Sequence, residues 1–193
     1  MKSYAIARPD AAEREELLEA LPRIADLSEA LGELVCVAWT TMWKSSTHTR
    51  LAEAPFCLGS TYPLVKHVGE VAEAGLALAA RAEAMWGMKV DMDRLLAILL
   101  LHDIDKLLLY TRTGTQIVAS EVHGRIQHGV LGALLLAELG ADEAIVAAVS
   151  THAANAPFRG VHPEEFILHY ADMFCADYAL FTSDLPPFFA KGR

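Results

Sequence analysis

Apolar residues recur at i, i+3 and i+4 along most of this chain, and strict apolar–polar alternation of the strand type is scarce. Between residues 11 and 43, Leu17, Leu18, Leu21, Ile24, Leu27, Leu31 and Leu34 set the pattern. Pro22 or Gly32 is expected to interrupt that first helical stretch. Residues 44–62 are rich in Ser, Thr and Pro and read as a long loop, which in a compact domain is more often functional than idle. Helices are then predicted over 63–86, 91–110, 122–139, 142–154 and 163–181. Pro63 and Pro163 suit a first turn, Asp91 and Asp142 can cap, and Gly140 suits a stop. The expectation is an all-α, single-domain helical bundle without internal repeats.

Composition narrows the picture only slightly. A chain of 193 residues, 53 % of them hydrophobic, fits one domain with a sizeable core. A net charge of -9 argues against general nucleic-acid binding, which needs a basic face. It leaves room for a small anionic substrate, because bound metal ions can reverse a local field. Cys36, Cys57 and Cys175 are odd in number, widely spaced and outside any CxxC pattern, so reduced thiols are expected. The start of the chain has no apolar signal-peptide core, and the apolar run at 95–101 is far short of the ~20 residues that span a bilayer. A soluble cytoplasmic protein without membrane partners is the expectation.

The informative positions are polar residues in apolar company. His102-Asp103 interrupts the most hydrophobic stretch of the chain, where an unpartnered carboxylate costs several kcal/mol. By helical spacing His102 lies with Leu95, Ile98 and Leu99, and Asp103 with Leu96, Leu100 and Leu107. His67 shares a stripe with Leu64, Val71, Ala74 and Leu78, and His128 one with Leu131, Leu135 and Leu139. His152 lies with Ile145, Ala148 and Val149, and Asp172 with Leu168, Cys175 and Ala179. One such histidine is more often a hydrogen-bonded core residue than a ligand. Six inward His and Asp residues from five separate helices would each need a buried partner, and one shared metal centre satisfies them all.

The order His67 … His102-Asp103 … His128 … His152 … Asp172 resembles the HD-domain superfamily of metal-dependent phosphohydrolases. His102-Asp103-Ile104-Asp105-Lys106 is similar to the HDIGK segment of that family, with Asp105 in place of Gly. The segment from His128 to Gly132 resembles its H-x-x-x-G, and Ala171-Asp172 its late AD. The resemblance covers roughly residues 62–178 as an HD core and leaves 1–61 as N-terminal helices and a loop. It implies that His67, His102 and Asp172 hold one metal ion, His128 and His152 a second, and that Asp103 bridges them. Imidazoles with carboxylates favour Fe, Mn, Co, Ni or Zn over Mg or Ca. Asp103 and Lys106 are the implied catalytic residues, Lys106 reaching a substrate phosphate or carboxylate as a point charge.

Departures limit the resemblance. His152 is followed by Ala153 where the cyclic-dinucleotide branch usually has a second His, and the GYP segment of that branch is missing. The length excludes a full alarmone synthetase–hydrolase. Three functions stay open: hydrolysis of a small phosphate ester such as a nucleotide, a mixed-valent di-iron oxygenase with the same six ligands, and a metal-binding regulatory module. His123, Arg125 and Lys66 flank the ligand-bearing segments, Lys44, His48 and Arg50 lie in the loop, and His169 stands three residues before Asp172. For each of these a solvated or ordinary helical role has the better prior.

Overall fold

A computed structural model describes residues 3–156, 160 and 162–190. Eight α-helices follow in chain order: α1 (Ala11–Ala20), α2 (Glu29–Lys44), α3 (Leu64–Trp86), α4 (Met92–Leu101), α5 (Lys106–Leu109), α6 (Val130–Glu138), α7 (Glu143–Thr151) and α8 (Pro163–Thr182). Pro22 opens a short 3-10 turn that separates α1 from α2, so the interruption falls at Pro22 and not at Gly32. The Asp91 and Asp142 carboxylates accept from backbone N–H groups at the starts of α4 and α7, as their N-cap positions predict. Pro163 occupies the first turn of α8, whereas Pro63 is the residue before α3. No helix among the described residues is long and apolar enough to cross a membrane.

α4 is the centre of the packing. Leu95 to Leu101 are buried along its whole circumference, and α2, α3, α7 and α8 all pack on it. A helix apolar on every side belongs in the middle of a bundle. The Trp39 indole of α2 donates to Leu100 O at 2.9 Å and ties the end of α4 to the N-terminal helices. At the other end of α4 the Glu164 carboxylate, 2 % exposed, accepts from Asp91 N at 3.0 Å and Arg94 Nη2 at 2.9 Å. That contact pins the start of α8 to the start of α4. Gly75 of α3 lets Leu99 approach so closely that an added Cβ would meet the Leu99 methyls at 2.6 Å.

Two of the predicted helices are shorter than expected. The segment 91–110 is not continuous: α4 ends at Leu101, residues 102–105 form a turn, and α5 adds one further turn. Residues 110–119 are a hairpin, β1 (Tyr110–Thr113) paired antiparallel with β2 (Gln116–Ala119) around Gly114 at φ +62°. Residues 120–129 are turns, and α6 begins only at Val130. The loop at 44–62 contains one 3-10 turn and is fastened to the hairpin. His48 Nε2 lies 3.0 Å from Tyr110 O, and Thr47 Oγ1 accepts from Arg112 N at 2.8 Å.

Candidate metal centre

The six ionisable residues singled out above converge at one place, four of them delivered by two different devices. His67 and Asp172 come from the interiors of α3 and α8, which pack side by side. His102 and His152 instead stand at the C-terminal ends of α4 and α7. There the last carbonyls lack helical partners, and each histidine uses one. His102 Nδ1 sits 2.8 Å from Leu99 O, and His152 Nδ1 sits 2.7 Å from Val149 O. His128 is not helical, contrary to the sequence expectation, and lies in the turns before α6. Leu78, expected on the inward stripe of His67, is exposed at 40 %.

His128 owes its position to Asp105. Asp105 is fully buried: Oδ1 lies 2.9 Å from His128 Nδ1, and Oδ2 accepts from Gly129 N at 2.7 Å. Gly129 has φ +89°, and an added Cβ would stand 2.6 Å from Val149 O and 3.2 Å from the His152 ring. The glycine is therefore needed both for its backbone conformation and for the space around His152. Sequence reasoning noted Asp105 only as a departure from HDIGK and assigned it no role.

These hydrogen bonds fix the tautomers. A carbonyl or carboxylate oxygen only accepts, so the Nδ1 atoms of His102, His128 and His152 each carry a hydrogen. When neutral, each ring then presents an Nε2 lone pair towards the middle of the site. His128 Nε2 lies 2.9 Å from Asp103 Oδ1 and 3.1 Å from His152 Nε2, which is itself 3.4 Å from Asp103 Oδ1. On the other side of the same carboxylate, Asp103 Oδ2 is 3.3 Å from His67 Nε2 and 3.4 Å from His102 Nε2. Asp172 Oδ1 is 3.2 Å from His67 Nε2 and 3.7 Å from His102 Nε2. Acceptors this close need a cation between them.

Protons or a metal ion can supply that positive charge. Burial disfavours a charged His102, but the Asp103 and Asp172 carboxylates outweigh it and raise its pKa to about 10. The same opposition between burial and Asp105, joined by Asp103, raises His128 to about 9. Burial works against the charged forms of Asp103 and Asp172 too. Lys106 and His102 nevertheless hold Asp103 well below the usual carboxylate range, and His102 and His67 hold Asp172 there. His152 is lowered, by burial first and by its cationic neighbours.

The donor set fits metal ions. His67, His102, Asp103 and Asp172 form one group whose donor atoms all lie within 4.8 Å of one another, and Asp103, His128 and His152 form a second. Bonds of ~2.1 Å to a tetrahedral ion put neighbouring donors ~3.4 Å apart, close to the separations in both groups. Asp103 presents Oδ2 to the first group and Oδ1 to the second. Nε2 of His67 and His102, and Oδ1 of Asp103, are buried without a hydrogen-bond partner. The HD-domain family model matches residues 64–177, more than half of the 193-residue chain. The chain belongs to the HD-domain family. Neither a curated protein nor a solved structure gives a match.

In this HD domain the surroundings of the ligands were less legible. Lys106 Nζ, almost buried, lies 2.6 Å from Asp103 Oδ2 and 4.1 Å above the Phe56 ring. Phe56 in turn packs on His67 with ring centroids 4.2 Å apart. The loop thus reaches the site through Phe56. Lys44 is ion-paired with Glu13 at 2.7 Å, His48 bonds the hairpin, and Arg50 lies at the 3-10 turn of the loop. Lys66 lies over the Tyr62 ring and Arg125 pairs with Glu121, both at the surface. The His123 ring is 6.0 Å from that of Tyr110, and the His169 ring 5.2 Å from that of Tyr170. Among the six candidate ligands, His128 and Asp172 are the least covered, with side chains 25 % and 14 % exposed.

Proposed function

We propose that this HD domain is a metal-dependent phosphohydrolase acting on a small phosphate ester such as a nucleotide. His67, His102, Asp103 and Asp172 would hold one divalent transition-metal ion, and Asp103, His128 and His152 a second. The observation that carries this reading is the convergence of imidazole lone pairs and carboxylates around Asp103. Bound ions supply two things there: polarisation of a phosphoryl oxygen, and water acidic enough to be deprotonated near neutral pH.

The protein's own residues do the positioning. Leu99 O, Val149 O and Asp105 lock His102, His152 and His128 as Nε2 donors, so no ligand has to change tautomer when an ion binds. Phe56 covers His67 and keeps water from that side. Lys106 is the one lysine or arginine among the described residues that is ion-paired with a ligand. It places a positive charge beside the site for a substrate phosphate. The partly exposed flank between His128 and Asp172 is the side from which a small anion would enter.

The test is phosphate release from a panel of phosphomonoesters and nucleotides, by protein stripped of metal and reloaded with Mn, Co or Ni, under nitrogen. Metal-dependent anaerobic release supports hydrolysis. Turnover that needs both iron and oxygen would replace it with oxygenase chemistry on the same ligands. Tight metal binding with no turnover of either kind would leave a regulatory module.

A further inference from the structure

The outward face of α8 carries an aromatic ridge, and we propose that it is the contact through which two copies of this chain form a symmetric dimer. Phe166, Tyr170, Phe174 and Tyr178 follow one another at four-residue spacing, and Phe181 continues the line. Their exposures run from 47 % at Phe166 to 75 % at Phe174. Asp172 lies two residues from both Tyr170 and Phe174, which places the metal ligand on the opposite side of the helix. The ridge is therefore not a wall of the metal centre, and the proposal stands independently of the function argued above.

The face is too large and too ordered to be incidental. Leu78 and Trp86 of α3 border it beside Phe166 and Tyr170. A groove of ≈ 600 Å³ borders it beside Phe174 and Tyr178. An aromatic side chain buries about 150–250 Å², so the five ridge residues with Trp86 offer roughly 700 Å² of aromatic surface alone. A stable interface takes about 800 Å² from each partner, and contiguous exposed apolar patches on monomers are smaller than this.

Symmetry selects a second copy as the occupant. A two-fold axis through Phe174 sets Tyr170 of one copy against Tyr178 of the other, and Phe166 against the Phe181 end. The ridge is thus complementary to itself, as an isologous contact requires. The charges at its rim are balanced within one copy, where Glu73 pairs with Arg23 at 2.6 Å and Glu70 accepts from the Tyr62 hydroxyl at 2.7 Å, so the aromatic centre carries the contact. A lipid surface is a poor alternative for a chain of net charge -9.

The experiment is sedimentation velocity on the whole chain and on Phe174→Glu. Wild type should sediment at twice the chain mass in the micromolar range. Phe174→Glu puts two carboxylates on the axis and should weaken the dimer by about 100-fold or more, with metal binding retained. Independently, Phe174→Cys should cross-link to itself with a short bis-maleimide, whereas wild type and Leu134→Cys, an exposed position on α6, should not. A monomeric wild type overturns the proposal and leaves the face to a different partner. A dimer that survives Phe174→Glu also overturns it. If Phe174→Glu fails to fold, the cross-link at residue 174 decides: its presence supports the two-fold contact, and its absence refutes it.

Discussion

Replacing Asp105 tests whether the second half of the centre is held from outside its own ligands. In Asp105→Ala two donors, the partly covered His128 Nδ1–H and the buried Gly129 N–H, lose their acceptor together. Each unsatisfied buried donor costs about 1–3 kcal/mol, so ~2–6 kcal/mol is the range before relaxation, and water entering the small gap would lower it. A loss of about 2–4 kcal/mol is expected in urea unfolding with chelator present. Binding of the second ion should weaken about 10–100-fold, the usual effect of losing the group that orients a histidine ligand. The first ion of the proposed pair, which His67, His102 and Asp172 would hold with the other Asp103 oxygen, should be much less affected.

Asp105→Asn separates orientation from stability. Gly129 N–H needs an oxygen, which turns the new amide nitrogen towards His128 Nδ1. That nitrogen donates, so His128 must accept at Nδ1 and carry its hydrogen on Nε2, where an ion would have to bind. Asp105→Asn should therefore fold almost as stably as wild type yet lose the second ion. Isothermal titration with Mn or Zn would show one binding step where wild type shows two. Unchanged urea midpoints in both variants, together with two intact binding steps, would refute the role given to Asp105.

Three further outcomes follow from the same geometry. Gly129→Ala meets a positive φ and the Val149 carbonyl at 2.6 Å, so it should cost at least ~2 kcal/mol in thermal unfolding and displace His152 from the second ion. Metal-free protein should lose stability at alkaline pH: His102 and His128 rise from 6.5 to about 10 and about 9 on folding, so their contribution is complete below 6.5 and is lost as pH rises through 9–10. Melting temperatures across that range should fall with chelator and stay nearly flat with Mn, because the ion replaces the protons. Glu164→Ala should cost about 2–4 kcal/mol near neutral pH by stranding Asp91 N–H and Arg94. Burial opposes the charge on Glu164, but its hydrogen bonds lower the pKa below 4.5, so the gap from wild type should narrow as pH falls below that value.

The helices and two of the candidate ligands, His67 and Asp172, were legible in the sequence for one reason: both depend on local spacing. Buried His67 and partly covered Asp172 follow from helical periodicity in α3 and α8, and the caps at Asp91 and Asp142 act within one turn of themselves. The hairpin at 110–119 also had a local signal, β-branched residues on both sides of Gly114, but the apolar run before it masked the change of period. The end of α4 had none. No glycine or proline stands between Leu101 and Gly114, and the chain leaves the helix there although residues 104 and 107–109 stay apolar and buried.

What replaces a local stop signal at His102 is tertiary. Ending α4 at Leu101 frees carbonyls in its last turn, and Leu99 O becomes the acceptor that orients His102. The turn then aims Asp103 at both ligand groups and Asp105 at a histidine 23 residues further along. A continuous helix from 91 to 110 would satisfy Leu99 O internally and leave the His102 ring without its fixed tautomer. It would also point Asp103 about 100° round the axis from His102, and Asp105 about 200° further on. Bringing these three residues to one centre requires the helix to end where it does. The energy for that irregularity comes from partners on α3, α7 and α8 and in the turns before α6, which no window of neighbouring residues contains. The same division explains Asp105 itself: beside His102-Asp103 it reads as one more polar residue, and only the approach of His128 and Gly129 gives its carboxylate a function.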